Sequence, residues 1–207
     1  MLAIIDYDAG NLRSVYSGFR RLGIEAEVTR DINTLRRAEA LVLPGQGAFG
    51  DCIGNLRAYG LEDTISSAIN DGVPFLGICV GLQLLFEMSE EMGEHRGLGI
   101  IPGRVVRFPE GLTVPHMGWN QIHQRSETPL WQGVPDGSYA YFVHSYYVAP
   151  EDERDVAAVT DYSVDFVSAV ARDNLYAIQF HPEKSQDVGE RILRNFCTRA
   201  GLLEERP

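Results

Sequence analysis

Cys79 has the residue type and the surroundings of a nucleophile. It follows an apolar run over residues 73–78 that predicts a buried strand, and it precedes residues 82–88, which predict the start of a helix. Gly77 and Gly81 flank it two residues away on either side, as in a Gly-x-nucleophile-x-Gly elbow with sulfur in place of oxygen. Glycine permits a sharp strand-to-helix turn, and a following helix would favour the thiolate. A buried structural cysteine is the alternative interpretation.

His181 is the predicted base or ion-pair partner of this thiol. An apolar strand over residues 175–180 ends at this histidine, Pro182 stiffens the turn, and Glu183 follows at once. Because the carboxyl ends of parallel strands meet at one edge of a sheet, we expect His181 to reach Cys79 there. Glu183 can accept the second ring N–H and fix the tautomer. The spacing therefore predicts a Cys–His–Glu triad.

The other histidines are weaker candidates for the base. His144 lies in an aromatic strand that could line a pocket, but no carboxylate lies within several residues of it. His116 also lacks a local acid, and His95 and His123 are expected in loops or at the surface. His-Glu-x-x-His spacing is absent, so the sequence predicts no metal site.

A glycine-containing turn follows the buried strand predicted over residues 40–43. Its residues Gly45, Gln46 and Gly47 resemble a phosphate loop only superficially, because the Gly-Lys-Ser/Thr ending is missing. Backbone N–H groups of this turn could instead face an oxyanion near the nucleophile, and a plain turn is the alternative. The acids that follow the elbow are expected to form a solvated helix face: Glu87, Glu90 and Glu91.

The elements that must position these residues follow two patterns. Strand and helix signals alternate up to about residue 97, which predicts a mostly parallel sheet covered on both faces. Beyond it, short strand-like runs separated by turn residues predict antiparallel or mixed pairing, before a last helix over residues 188–199. We therefore expect an α/β fold with a central mixed sheet flanked by helices, and one domain over residues 1–207. The later strand-like runs cover residues 103–108, 139–148, 156–160, 166–171 and 175–180.

Composition limits the classes of function. The formal net charge of −11 leaves no basic surplus to neutralise phosphates, which argues against a binder of nucleic acid or of anionic membranes. Three widely spaced cysteines form no Cys-x-x-Cys pair, which favours a reduced, cytoplasmic protein. The N-terminal residues lack the basic region of a signal peptide, and no apolar run approaches the ~20 residues of a membrane span.

Three motifs together resemble the class I (triad) glutamine amidotransferases. Residues 77–83 are similar to the nucleophile motif of that family, residues 180–183 to its His-Pro-Glu motif, and residues 44–47 to its oxyanion strand. Four further segments resemble a narrower family, the glutaminase subunits of the histidine-pathway enzyme imidazole glycerol phosphate synthase. These segments are residues 5–7 with 10–15, residues 97–103, residues 115–120 and residues 184–186.

The resemblance implies an activity and a partner. The chain is expected to hydrolyse L-glutamine to glutamate and ammonia through Cys79, His181 and Glu183, without a cofactor. Ammonia would pass to a cyclase partner, a separate (β/α)8-barrel subunit, which uses it to form imidazole glycerol phosphate and an aminoimidazole carboxamide ribotide. The oxyanion turn at residues 45–47 would be the switch that the partner controls. Gln46 departs from the family, in which this position is often apolar, and so does the Asp8-Ala9 pair.

The resemblance also implies further site residues. The region of Gly47 would stabilise the oxyanion, and the head group of glutamine would bind to Gln83, to Glu91 and to the backbone of Ser145 and Tyr146. Asn11, Tyr141 and Lys184 would belong to the partner interface.

Three other classes remain as alternatives. The chain could be the glutaminase of another triad amidotransferase, such as those of anthranilate, pyridoxal phosphate or guanylate synthesis. It could also be a binding subunit that has lost its chemistry, or a cysteine peptidase of related fold. Lys184-Ser185-Gln186 and residues 115–120 argue against the first class, and the intact triad argues against the second. Nothing in the sequence indicates the peptide groove that the third requires.

Overall fold

The computed structural model describes residues 1–204, which form a mixed sheet flanked by helices. This is the α/β fold that the sequence predicts. The helices are α1 (Leu12–Arg21), α2 (Ile32–Arg37), α3 (Phe49–Ala58), α4 (Glu62–Asn70), α5 (Val80–Gln83) and α6 (Gln186–Arg199). The strands are β1 (Leu2–Ile5), β2 (Ala26–Thr29), β3 (Ala40–Gly45), β4 (Phe75–Cys79), β5 (Phe86–Ser89), β6 (His95–Arg96), β7 (Ile101–Arg107), β8 (His116–Gln124), β9 (Ser138–His144), β10 (Tyr146–Pro150), β11 (Val156–Asp161), β12 (Asp165–Arg172) and β13 (Leu175–Ile178).

Five parallel strands form the first part of the sheet, in the order β2-β1-β3-β4-β13. Every residue of β1, β3, β4 and β13 is buried, since helices cover both faces, and this explains the continuous apolar runs in the sequence. Gly45 pairs with Cys79, and Ile78 with Ile178. The ends of β3, β4 and β13 therefore meet at one edge of the sheet.

The helices that cover this part pack through apolar stripes. The longest of them, α6, buries Ile192, Leu193 and Phe196, which recur at helical spacing. At the other end of the chain, the side chain of Asp31 accepts a hydrogen bond from the backbone N–H of Thr34 at 2.8 Å and caps α2. Local sequence thus sets where these helices lie and where α2 begins.

The second part of the sheet is mainly antiparallel. From β13 it continues through β12, β10 and β7, while β11 joins β12 to a hairpin formed by β8 and β9. In this hairpin His116 lies opposite His144, and Trp119 lies opposite Tyr141. Successive side chains of a strand alternate between its two faces, so each strand of the hairpin has an inner and an outer row.

Two element predictions were wrong. Residues 82–88 do not continue a helix, because α5 ends at Gln83 and Phe86 starts β5, which pairs in parallel with β7. The uninterrupted burial of residues 79–86 gives an apolar run whose periodicity cannot separate helix from strand. The single run predicted over 139–148 is two strands, since the chain changes pairing partner at Ser145. His95 and His123, expected in loops or at the surface, are half-buried on β6 and β8.

The acidic residues after the elbow therefore do not share a helix face. Glu87 lies on β5 and its Oε2 accepts a hydrogen bond from the backbone N–H of Gly103 at 3.1 Å, while Glu90 and Glu91 follow the strand. In residues 1–204, no helix combines the length and the apolar character that crossing a bilayer requires.

Candidate active site

Cys79 ends β4 in a conformation that side chains other than glycine rarely adopt, with φ 56° and ψ −112°. The neighbouring glycines are required by close backbone approach. A Cβ atom on Gly81 would lie 1.8 Å from the carbonyl oxygen of Leu43, and one on Gly77 would lie 2.9 Å from that of Gly81. The elbow is therefore present as expected, but α5 has only four residues, so its dipole contributes little at the sulfur.

His181 lies just beyond the end of β13, as the parallel register requires. The backbone N–H of His181 donates to the carbonyl oxygen of Tyr141 at 2.9 Å, and the carbonyl oxygen of His181 accepts a hydrogen bond from Ser185 Oγ at 2.6 Å. Its Nδ1 lies 2.8 Å from Glu183 Oε1, whereas Nε2 is buried with no hydrogen-bond partner among the described residues. The ring is thus fixed through Nδ1, and Nε2 stays free for proton transfer.

The electrostatics of this pair favour a charged imidazole. Burial opposes the charge on His181, but interactions with Cys79 and Glu183 outweigh burial and raise the pKa of His181 to about 9. Burial also opposes the charge on Glu183, which for a carboxyl group raises the pKa. The hydrogen bonds of Glu183 to His181 and to Asn11 outweigh burial and leave its pKa below the ordinary value. A carboxylate beside an imidazolium is therefore the stable state near neutral pH.

Asn11 is a third member of the hydrogen-bond set around the triad. Its Nδ2 donates to Glu183 Oε1 at 2.6 Å, the same oxygen that His181 contacts. Asn11 adopts φ 74°, a left-handed conformation that asparagine tolerates better than most residues, and it starts α1. The family resemblance predicts this residue at the partner interface, and nothing in the sequence indicates its contact with Glu183.

A cavity of about 240 Å³ opens beside the nucleophile. Larger grooves exist elsewhere, such as one of about 670 Å³ next to β10, but their described linings hold neither a cysteine nor a histidine. Among the described residues, the smaller cavity is thus the candidate for nucleophilic chemistry. Its lining includes eight of the predicted site residues, namely Gln46, Gly47, Cys79, Gln83, Glu91, Ser145, Tyr146 and His181, together with Val80, Pro115, Val143 and His144.

The predicted substrate-binding residues are held by bonds of their own. Gln83 is buried, and its Nε2 donates to the carbonyl oxygen of Tyr146 and to Gln179 Oε1, each at 3.1 Å. Glu91 Oε2 accepts from the backbone N–H of Phe49 at 2.6 Å, which leaves its other oxygen available to a ligand. Gln179 in turn lies with its Nε2 3.7 Å from the sulfur of Cys79. No local motif indicated Gln179; the pairing of β13 beside β4 brings it here.

The turn over residues 45–47 has a defined orientation. Position 45 must be a glycine, because a Cβ atom there would lie 2.7 Å from the backbone nitrogen of Gly81. Cys52 Sγ lies 3.9 Å from the carbonyl oxygen of Gln46, and burial raises the pKa of Cys52 to about 11, so its thiol remains a donor. Since a trans peptide points its C=O and N–H in opposite directions, the Gly47 N–H is directed away from Cys52.

Two of the predicted interface residues, Tyr141 and Lys184, border an exposed apolar surface. On the outer row of the β8–β9 hairpin, Met117, Trp119 and Tyr139 are 62%, 46% and 54% exposed. Tyr141 lies between them, with its ring 6.1 Å from that of Trp119 and 5.7 Å from Lys184 Nζ. We call this set the hairpin face: Met117, Trp119, Tyr139, Tyr141 and Lys184.

Comparison with known proteins identifies the class of this fold and site. The sequence profile of the family "Glutamine amidotransferase class-I" matches residues 3–200. The chain belongs to the class I glutamine amidotransferase family.

Curated relatives of high sequence identity carry the name of one subunit within this family. The chain is 57% identical to imidazole glycerol phosphate synthase subunit HisH of Syntrophotalea carbinolica, over 95% of this chain and 98% of the relative. It is 54% identical to the HisH subunit of Geobacter metallireducens, over 95% and 97% of the two chains. For the HisH subunit of Aquifex aeolicus the identity is 50%, over 97% of each chain.

Solved structures support the fold alone. A crystal structure described as a glutamine amidotransferase superposes with a TM-score of 0.76 at 23% identity, covering 96% of this chain and 98% of the other. The structure of PurLQS from Thermotoga maritima gives a TM-score of 0.75 at 18% identity, covering 96% and 97%.

Proposed function

We propose that this chain is the glutaminase subunit of an imidazole glycerol phosphate synthase, hydrolysing L-glutamine and delivering ammonia to a cyclase. One observation carries the chemistry: a buried imidazole beside Cys79 is anchored through Nδ1 to Glu183 and keeps Nε2 unpaired. The choice of substrate and pathway rests on the sequence similarity to HisH subunits, which extends over 95% of this chain.

The triad would act by acyl transfer. Cys79 Sγ attacks the side-chain amide carbon of glutamine, and the proton of the thiol is held by His181. When the C–N bond breaks, His181 gives this proton to the leaving amine, so that ammonia departs and a thioester remains. Water then attacks the thioester with His181 as the base, which releases glutamate and restores the thiol. Glu183 stabilises the imidazolium whenever it forms.

The oxyanion formed in each step needs a donor, and the turn over residues 45–47 lies next to the sulfur in the sheet register. We assign this role to the backbone N–H of Gly47, with φ 120° there permitted by glycine. Gln83, Glu91 and the backbone of Ser145 and Tyr146 would hold the amino-acid head group, since all four line the cavity.

A partner is needed because free ammonia is mostly protonated at neutral pH and then is no nucleophile. We propose the hairpin face, together with Asn11, as the surface that binds the (β/α)8-barrel cyclase. Large exposed aromatic side chains are typical of binding hot spots, and Lys184 adds a charge beside them. The pair would work as a heterodimer in the reducing cytoplasm, in keeping with the unpaired Cys52, Cys79 and Cys197.

The test is a coupled assay of the reconstituted complex with glutamine or with ammonium as nitrogen source. Activity should be measured for the subunit alone, with the barrel, and with the barrel and its ligand. Cys79→Ala should abolish glutamine-dependent turnover and leave ammonium-dependent turnover intact, and Cys197→Ala is the matched control at a second buried cysteine. Glutamine-dependent turnover that persists in Cys79→Ala would overturn the proposal, as would ammonia transfer only to an anthranilate partner.

A further inference from the structure

Two buried histidines outside the triad face each other across the β8–β9 hairpin. His116 and His144 are 4% and 6% exposed, and they are opposite residues in the strand register. His116 Nδ1 lies 2.9 Å from His144 Nε2. His144 also lines the cavity beside Cys79, so this pair reaches the site from the side opposite the hairpin face.

The hydrogen bonds fix which ring nitrogens carry protons. The carbonyl oxygen of Tyr146 can only accept, so His144 Nδ1, at 2.8 Å from it, carries a hydrogen. Burial lowers the pKa of His144 to about 3 and that of His116 to about 4, so both rings are neutral. His144 Nε2 is then an acceptor, and His116 must donate to it through Nδ1. Both histidines are therefore in the Nδ1–H tautomer.

The outer end of the pair is anchored as well. His116 Nε2 is left as an acceptor, and Asn120 Nδ2 lies 3.2 Å from it. The same amide nitrogen donates its second hydrogen to the carbonyl oxygen of Asp161 at 2.8 Å. Every donor and acceptor of the two rings is thus used, and the direction of each bond is determined.

The inner end of the pair reaches the residues that line the cavity. The carbonyl oxygen of Tyr146 accepts two bonds, one from His144 Nδ1 and one from Gln83 Nε2. Gln83 passes its other amide hydrogen to Gln179, whose own amide lies 3.7 Å from Cys79 Sγ. A continuous set of hydrogen bonds therefore runs from Asn120 to the nucleophile.

We propose that His144, held in its tautomer by His116, is a positioning residue for glutamine binding. Its Nδ1–H fixes the peptide of Tyr146, and this carbonyl in turn fixes the amide of Gln83, so the polar groups around the substrate are preset. His144 is no second base, because both of its nitrogens are engaged. This inference rests on the proposed function, since it names what the pair does for the glutamine site.

The first test is spectroscopic and is independent of turnover. In the reconstituted complex, ¹⁵N NMR of the imidazoles at pH 7 should show His116 and His144 as neutral Nδ1–H rings, with assignment from single-residue variants. Free histidine prefers the Nε2–H form, so this signature reports the pair itself. An Nε2–H tautomer or a charged ring at either position would overturn the inference.

The second test separates the hydrogen bond from packing. His144→Phe keeps a ring but removes the donor, so KM for glutamine should rise about tenfold with kcat within about threefold. His144→Asn can place an amide N–H near the position of Nδ1, and it should restore most of the KM. Phe166→Leu, which disturbs a ring 5.0 Å from His144, is the packing control.

The outcomes are decisive in either direction. An unchanged KM in His144→Phe, or a KM rise in Phe166→Leu as large as in His144→Phe, would overturn the inference. Should His144→Phe fail to fold, His144→Gln replaces it, because it keeps an acceptor toward His116 and loses the donor to Tyr146. A wild-type complex that does not hydrolyse glutamine would instead remove the proposed function, while the tautomer measurement would still stand.

Discussion

The two walls of the cavity each present a buried histidine, and the pKa values of these residues are shifted in opposite directions. His181, at the end of the parallel strand β13, has its pKa raised to about 9. His144, at the end of the antiparallel strand β9, has its pKa lowered to about 3. Burial acts against the charge at both positions, so burial does not make the difference.

The difference comes from what each ring contacts. His181 meets the Glu183 carboxylate and the Cys79 sulfur, which stabilise a positive charge. His144 meets a neutral carbonyl and a second imidazole, which do not offset its burial. The partners of a buried histidine thus decide whether its ring is charged or neutral. Each ring has one partner two residues away in sequence, Glu183 for His181 and the Tyr146 carbonyl for His144. The second imidazole beside His144 is supplied by the strand register.

The largest effect is expected on the His181 wall. His181→Asn removes the proposed proton carrier, so glutamine-dependent kcat of the complex should fall by at least about 10³-fold. Ammonium-dependent turnover is the internal control, and His123→Asn on β8 controls for loss of a histidine elsewhere. A fall below about tenfold would mean that the two walls do not differ in role.

The next largest effect is expected for Glu183→Gln. Its kcat should fall by about 10²-fold or more, because the carboxylate that fixes the tautomer of His181 and stabilises the imidazolium is lost. The pKa of His181, followed by NMR titration of its ring, should drop from about 9. An unchanged His181 pKa would mean that the Glu183 carboxylate does not cause the difference between the walls.

The same variant makes a prediction about stability against pH. The folded-state pKa of His181 is raised, so its contribution is fully present below the ordinary value of 6.5 and is lost as pH rises through about 9. The pKa of Glu183 is lowered, so its contribution is present above the ordinary 4.5 and is lost as pH falls through the lowered value. Denaturant unfolding should therefore show the advantage of wild type over Glu183→Gln shrinking at both ends of the pH range.

A smaller effect is expected on the outer face of the His144 wall. Trp119→Ala should weaken binding to the barrel about 10- to 100-fold, measured by calorimetry, because it removes an exposed aromatic anchor. The matched control is Val28→Ala. Val28 is 38% exposed and lies on the edge strand β2, at the other end of the sheet. If the two variants bind the barrel with equal affinity, the hairpin face is not the surface that binds the partner.

The smallest effect is expected for Asn11→Ala, which takes one of two donors from Glu183 Oε1. Glutamine-dependent kcat should fall about tenfold, the size of one hydrogen bond to a charged group. The pKa of Glu183 should rise toward its ordinary value at the same time. A variant with wild-type kcat but weaker partner binding would assign Asn11 to the interface alone.

Much of the fold could be predicted from the sequence because the parallel half is locally encoded. Its strands β1, β3, β4 and β13 are buried on both faces and read as apolar runs, and the glycines around Cys79 mark a turn at which backbones touch. The triad motifs follow those strands, so the parallel rule alone placed them at one edge. The prediction was wrong where burial is continuous, as in residues 79–86, since an apolar run has no readable period.

The sequence by itself determined the class of chemistry: a cysteine on a glycine-flanked elbow, and a histidine with a carboxylate two residues away. Only the tertiary structure decided which groups meet on the second wall. His116 and His144 are 28 positions apart, and Gln83 and Gln179 are 96 apart, so no local pattern couples them. Strand pairing brings these groups within hydrogen-bond distance, and burial makes each of them find a partner. Contacts set by register between distant strands are decided by the whole sheet, which is why the fold was needed to see them.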